Sequence, residues 1–99
     1  MSFMIPLDRL IETEHWIAFH HPQPAYPIHI LLVPKKALPN LLAISPIDTE
    51  LIGELIPIVQ KIIKDENLDQ TGYRLITNGG AYQDIPQLHF HLVSGEAFK

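Results

Sequence analysis

The sequence predicts an α+β fold, and three observations predict it. Most of the chain reads as short β-like runs, a single wide apolar stripe at helical spacing occupies residues 51–63, and prolines, glycines and polar turns separate these segments. Residues 9–12 and 16–20 are the first two β-like runs, with Thr13-Glu14-His15 between them as the turn of a hairpin. Pro22-Gln23-Pro24-Ala25-Tyr26-Pro27 must be loop, because three prolines leave few backbone donors for a ladder. Residues 28–33 are apolar except for His29, the pattern of a central strand covered on both faces, and Pro34-Lys35-Lys36 ends it.

Ser45-Pro46-Ile47-Asp48 reads as a helix start, with Ser45 as N-cap, Pro46 at the first helical position and Asp48 placed to reach back to the cap amide. Leu51, Leu55, Ile58 and Ile62, flanked by Ile52, Ile56, Val59 and Ile63, carry the stripe, so the helix is expected to run to about Asp65. Pro57 lies inside it and cannot donate to the carbonyl of Gly53, which predicts a kink or local break. Residues 73–77 form the next strand, Asn78-Gly79-Gly80 a turn and residues 81–86 a loop.

The last strand carries the functional signal. In Gln87-Leu88-His89-Phe90-His91-Leu92-Val93 the alternation puts Gln87, His89 and His91 on one face and Leu88, Phe90 and Leu92 on the other. Side chains two apart on a strand lie about 7 Å from one another, so the two imidazoles can address one small ligand. From the residues alone that ligand could be a metal ion, with His29 or His20 adding a third imidazole, or a phosphate.

Composition narrows the partners. The 99 residues are read as one domain, 1–99, large enough for a core and small enough for pairing with a second copy to help. A net charge of −4 without a basic stripe argues against nucleic acid, while a small phosphate stays compatible through local donors. The absence of cysteine removes thiolate chemistry and fits a reducing, cytoplasmic setting. No apolar run approaches the ~20 residues of a membrane span, and residues 1–8 lack the pattern of a secretory signal.

Taken together, His29-Ile30-Leu31-Leu32-Val33-Pro34-Lys35-Lys36, the Gly72-Tyr73-Arg74 strand ending at Asn78-Gly79, and Gln83 four residues before Gln87-Leu88-His89-Phe90-His91-Leu92-Val93-Ser94-Gly95 resemble the histidine-triad (HIT) family, nearest its nucleotide-binding Hint branch. The resemblance implies an antiparallel β-meander with one long helix, two copies joined into a continuous sheet as a homodimer. It also implies nucleotide hydrolysis or transfer at the α-phosphate of a small-molecule nucleotide, with no metal or cofactor. His89 then falls on the nucleophile that forms a nucleotidyl-histidine, and His91 on a phosphate donor. Asn78, Gln83 and Asp84 match positions that contact phosphate or leaving group, and Phe19, His21 and Leu31 match the base and ribose pocket. His29 matches a position behind the triad, hydrogen-bonded to its first member; on residues alone it reads equally as a core histidine.

The sequence departs from the family pattern at three of these positions. Gln87 stands where the first histidine is expected, and it either orients its neighbours, satisfies buried polar groups, or replaces a proton donor it cannot replace. Asp84 stands where a small hydroxyl residue is common, and His21 where an acidic residue holds ribose hydroxyls. An N-terminal helix and a longer C-terminal tail that complete the pocket in relatives are also expected to be absent.

Overall fold

A computed structural model of the chain describes residues 9–99, and the expectations about residues 1–8 lie outside the described residues. Five strands, β1 (Arg9–Glu12), β2 (Trp16–His20), β3 (Ile28–Pro34), β4 (Arg74–Ile76) and β5 (Phe90–Ser94), form one antiparallel sheet in the order β1-β2-β3-β5-β4. The first three are a meander. The helical segment then carries the chain across the sheet, so β4 lies at the far edge and β5 fills the gap beside β3. At the β1–β2 turn, the Thr13 hydroxyl accepts the Trp16 N–H at 3.0 Å and helps close the hairpin.

The helix begins as the sequence predicts. Ser45 caps a 3₁₀ turn (Pro46–Asp48), and its N–H donates to the Asp48 carboxylate at 3.0 Å. Asp48 is buried and ion-paired to Lys36, and that ammonium holds its carboxyl below the usual range. The expected single helix arrives in two segments, α1 (Thr49–Gly53) and α2 (Leu55–Asp65), with a break at Glu54. The break lies one turn before Pro57 because the missing N–H and the ring both act on the carbonyl of residue 53. A further short helix, α3 (Leu68–Thr71), follows Asn67, whose φ of 55° is left-handed; its four residues are too few to show a helical period in the sequence.

The apolar stripe of α1 and α2 packs on one face of the sheet. Leu51, Leu55, Ile58, Val59 and Ile62 meet Trp16, Ala18, Ile30, Leu32 and Leu92, all buried. Trp16 is 0% exposed, and its indole N–H donates to the Leu51 carbonyl at 2.8 Å, tying β2 to α1. The opposite face of β3 differs from the expectation of full cover. Leu31 and Val33 are only half-buried there, since they form the floor of an open cavity. Among the described residues, no helix is long and apolar enough to cross a membrane.

Candidate functional site on the open sheet face

Register brings the site together. Phe19 on β2 pairs with Leu31 on β3, Leu31 pairs with His91 on β5, and His91 pairs with Ile76 on β4, so four strands contribute to one row. Continuing the β4–β5 register two residues brings Asn78 opposite His89, and the Thr77 hydroxyl donates to the His89 carbonyl at 2.8 Å. The result is a cavity of about 320 Å³ lined by these polar residues and by Phe19, Leu31 and Val33. A volume of that size suits a small ligand.

The hydrogen bonds fix which nitrogen of each imidazole carries its proton. His89 Nδ1–H donates to the Gln87 carbonyl at 2.8 Å, which leaves the lone pair on Nε2. The Ala25 N–H donates to His29 Nδ1 at 3.0 Å, so the proton of His29 sits on Nε2 and is given to His91 Nδ1 at 2.8 Å. His91 must therefore hold its own proton on Nε2, ready for an acceptor in the cavity. The site thus presents one nucleophilic nitrogen and one N–H donor on adjacent rings whose centroids are 5.0 Å apart.

Burial and mutual repulsion disfavour the charged forms of His21, His29 and His91. Burial pushes His91 down to about 4, aided by repulsion from His89, His29 and His21 and opposed weakly by Asp84. Burial and then His21 lower His29, and burial and then His89 lower His21. His21 accepts the Gln23 N–H on Nδ1 at 3.0 Å and lies against His29, with centroids 4.4 Å apart, so it faces the cavity as an N–H donor.

Most residues singled out from the sequence line this one cavity: Phe19, His21, Leu31, Asn78, Asp84, Gln87, His89 and His91. Two do not. Gln83 gives its amide hydrogens to the carbonyls of Pro39, at 2.6 Å, and Ile85, at 2.9 Å, and so ties two loops beside the cavity. His29 lies one layer behind and bonds to His91, the third member of the motif, where the first member was expected. Register explains the correction: His29 pairs with Val93, diagonal to His91, whereas Gln87 lies in a bend before β5, which starts at Phe90 and not at Gln87 as the alternation predicts. His20, the other possible metal ligand, alternates onto the opposite face of β2. Among the described residues, no group of three or more His, Asp or Glu side chains is placed to hold a metal ion.

Gln87 is fully occupied. Its Oε1 accepts the Leu38 N–H at 3.2 Å, and its Nε2 donates to the carbonyls of Lys36, at 3.1 Å, and Pro34, at 3.3 Å. The amide therefore anchors the segment after β3, and its main-chain carbonyl sets the tautomer of His89. Three cavity residues were not anticipated. Val33 was detectable by its same-face spacing from Leu31, but Tyr82 and Ile85 lie in a loop with no periodic signal and stand 81% and 59% exposed at the cavity mouth.

The chain matches the HIT domain over residues 2–98. It belongs to the HIT family. Its relatives include a HIT-like protein of Azospirillum brasilense, 37% identical over 92% of this chain and 77% of that one. A purine nucleoside phosphoramidase of Escherichia coli is 31% identical over 92% of this chain and 78% of its own. Among solved structures, a histidine triad protein from Clostridium difficile superposes with a TM-score of 0.85 at 33% identity, covering 96% of this chain and 84% of that one. A HIT family hydrolase from Legionella pneumophila gives the same TM-score, 0.85, at 30% identity, covering 93% and 84%.

The HIT site also makes stability pH-dependent. His21, His29 and His91 are all lowered on folding, from 6.5, so the unfolded chain binds more protons. Their contribution is complete above about pH 6.5 and is lost as pH falls toward 4, through the folded value of His91. Thermal unfolding followed by circular dichroism should show the midpoint falling across that window, and His91→Gln should flatten the fall. An unchanged slope in the variant would contradict the assignment.

Proposed function

We propose that the chain is a nucleotidyl hydrolase acting at the α-phosphate of a purine nucleotide phosphoramidate or related conjugate, through a nucleotidyl-histidine on His89. The observation that carries this reading is the 2.8 Å bond from His89 Nδ1–H to the Gln87 carbonyl, which presents Nε2 as a nucleophile beside the His91 N–H donor. The E. coli relative named purine nucleoside phosphoramidase supports the substrate class.

In this scheme His89 Nε2 attacks phosphorus, the P–N bond breaks, and the departing amine takes one proton from solvent. Water then attacks the same phosphorus, the N–P bond to His89 breaks, and one proton returns, leaving AMP and neutral imidazole. His91 Nε2–H donates to a non-bridging oxygen as its charge grows, a contribution of roughly 10²-fold in rate. Asn78 and the backbone of residue 84 hold the phosphate, and Phe19, His21 and Leu31 take the nucleoside. No step is assigned to a metal or cofactor. The working unit in this reading is a cytoplasmic homodimer joined through a sheet edge, and β4, with Tyr73 and Leu75 exposed near it, is the edge we assign. Light scattering at micromolar concentration reads this directly, and the mass of a single chain would remove it.

A second reading has an observation of its own. The three side-chain bonds of Gln87 leave it no proton to give, which suits a nucleotide-binding protein with little turnover. AMP release from adenosine 5′-phosphoramidate separates the two. The hydrolase reading predicts release well above the uncatalysed rate. It also predicts that Gln87→His speeds alkylamine conjugates, which need a proton to depart, by about 10–100-fold, and aryl conjugates much less. Tight AMP binding without release would favour the second reading.

A further inference from the structure

The cavity is unusual in its charge. No Lys or Arg lines it, and Asp84 is the one lining residue of fixed charge type among the described residues. Residues 1–8 hold no Lys or Arg side chain. The nearest lysines in sequence to the cavity floor, Lys35 and Lys36, are paired with Glu12 and Asp48. Asp84 has no ion-pair partner among the described residues. An anionic phosphate placed beside His89 would therefore meet a carboxylate and no cation of the protein.

Asp84 also stands at a junction. A second hollow, about 420 Å³, opens between the loop at Pro39 and Asn40 and the segment from Gly80 to Pro86, and it shares Asp84 and Ile85 with the cavity of His89. Asp84 thus borders both the space over His89 and the space beside Pro39. The Gln83 amide hydrogens that border it are already given to the carbonyls of Pro39 and Ile85, so they are not free to meet an anion. A carboxylate with satisfied donors around it favours a positive charge.

We propose that the second hollow is a leaving-group subsite, and that Asp84 makes it selective for amines that carry a further positive charge over amines that carry none. This inference rests on the hydrolase reading above and names its substrate class. A leaving group of this kind brings its own counter-charge to the phosphate. Asp84 then becomes an attractive contact, where with a neutral amine it only repels the phosphate. Its role is specificity, since it exchanges no proton or bond with the substrate. The lowered affinity of His91 for a proton, which keeps that ring uncharged, removes the nearest alternative cation.

The experiment uses two adenosine 5′-phosphoramidates of equal length, one ending in an ammonium group and one in a hydroxyl. The parent chain should favour the ammonium conjugate by about three- to fivefold in kcat/KM, the upper scale of one charge contact at an exposed carboxylate. Asp84→Asn and Asp84→Ser should bring the ratio close to one with unchanged thermal midpoints. A parent ratio near one, or a ratio that survives Asp84→Asn, would overturn the proposal. If neither conjugate is hydrolysed, the hydrolase reading has failed, and calorimetric binding of the same pair tests Asp84 separately. Tighter binding of the ammonium conjugate, lost in Asp84→Asn, supports the subsite; equal binding or none overturns it. Each arm is run with EDTA and with Mg²⁺, and a preference that appears only with Mg²⁺ would make Asp84 a metal contact and sink the inference.

Discussion

His89→Ala is expected to lower the rate of AMP release from adenosine 5′-phosphoramidate by about 10³-fold or more while leaving the fold in place. The size follows from the role: the variant removes the atom that bonds to phosphorus, and removing a covalent nucleophile is the costliest single change at a site of this kind. The fold should tolerate it because His89 is only half-buried and its side chain makes one hydrogen bond, to the Gln87 carbonyl. His91→Ala should cost less, about 10²-fold, since it removes a donor and leaves the nucleophile. Steady-state release, with circular dichroism of each variant, checks both. Equal losses in the two variants would mean that His89 has no special part in the chemistry.

Trp16→Ala should bring the largest loss of stability. The side chain is fully buried between β2 and the helices, with its ring 6.1 Å from that of Phe90 and its N–H bonded to the Leu51 carbonyl. Truncation leaves a cavity and removes the indole bond to the Leu51 carbonyl, which keeps only the Glu54 N–H, for a cost of about 3–5 kcal/mol. In a domain of this size that corresponds to a Tm lower by roughly 15–30 °C. Ile47→Ala is the control: Ile47 is 83% exposed and should change stability by less than about 0.5 kcal/mol. Thermal melts of the pair measure the contrast, and a small loss at Trp16 would mean that the helix is held elsewhere.

The parts of this molecule that were legible in advance are those where local spacing and tertiary use agree. The alternation across Leu88, His89, Phe90, His91 and Leu92 sends Leu88 and Leu92 into the core and both imidazoles into the cavity. Ser45, Pro46 and Asp48 start the helix by short-range hydrogen bonds that need no tertiary partner. Where a position depends on register between distant segments, the reading had less to use. The partner of His29 is set by the β3–β5 ladder across 62 residues, so sequence could place an imidazole near the triad yet assign it to the wrong member. Gln83 is similar: its amide suits an anion as well as it suits the carbonyls of Pro39 and Ile85 that it bonds. Tyr82 and Ile85 reach the cavity mouth only because the loop folds over the sheet, a path that no local pattern encodes.

Gln87 illustrates both kinds of information. Its identity marked a departure from the family pattern, and its geometry divides its work between a side chain that anchors residues 34–38 and a carbonyl that orients His89. The carbonyl function is independent of the side chain. A glutamine there can therefore preserve the nucleophile while removing a proton donor, which is the division of labour on which the hydrolase reading depends.

The most direct test is to catch the intermediate. The protein is mixed with adenosine 5′-phosphoramidate, quenched in base within a single turnover, digested, and searched by mass spectrometry for the nucleotidyl group. The hydrolase account predicts the adduct on His89, present in the parent and missing in His89→Ala. Release of AMP with the adduct on His91, or with no adduct on any residue, would contradict it.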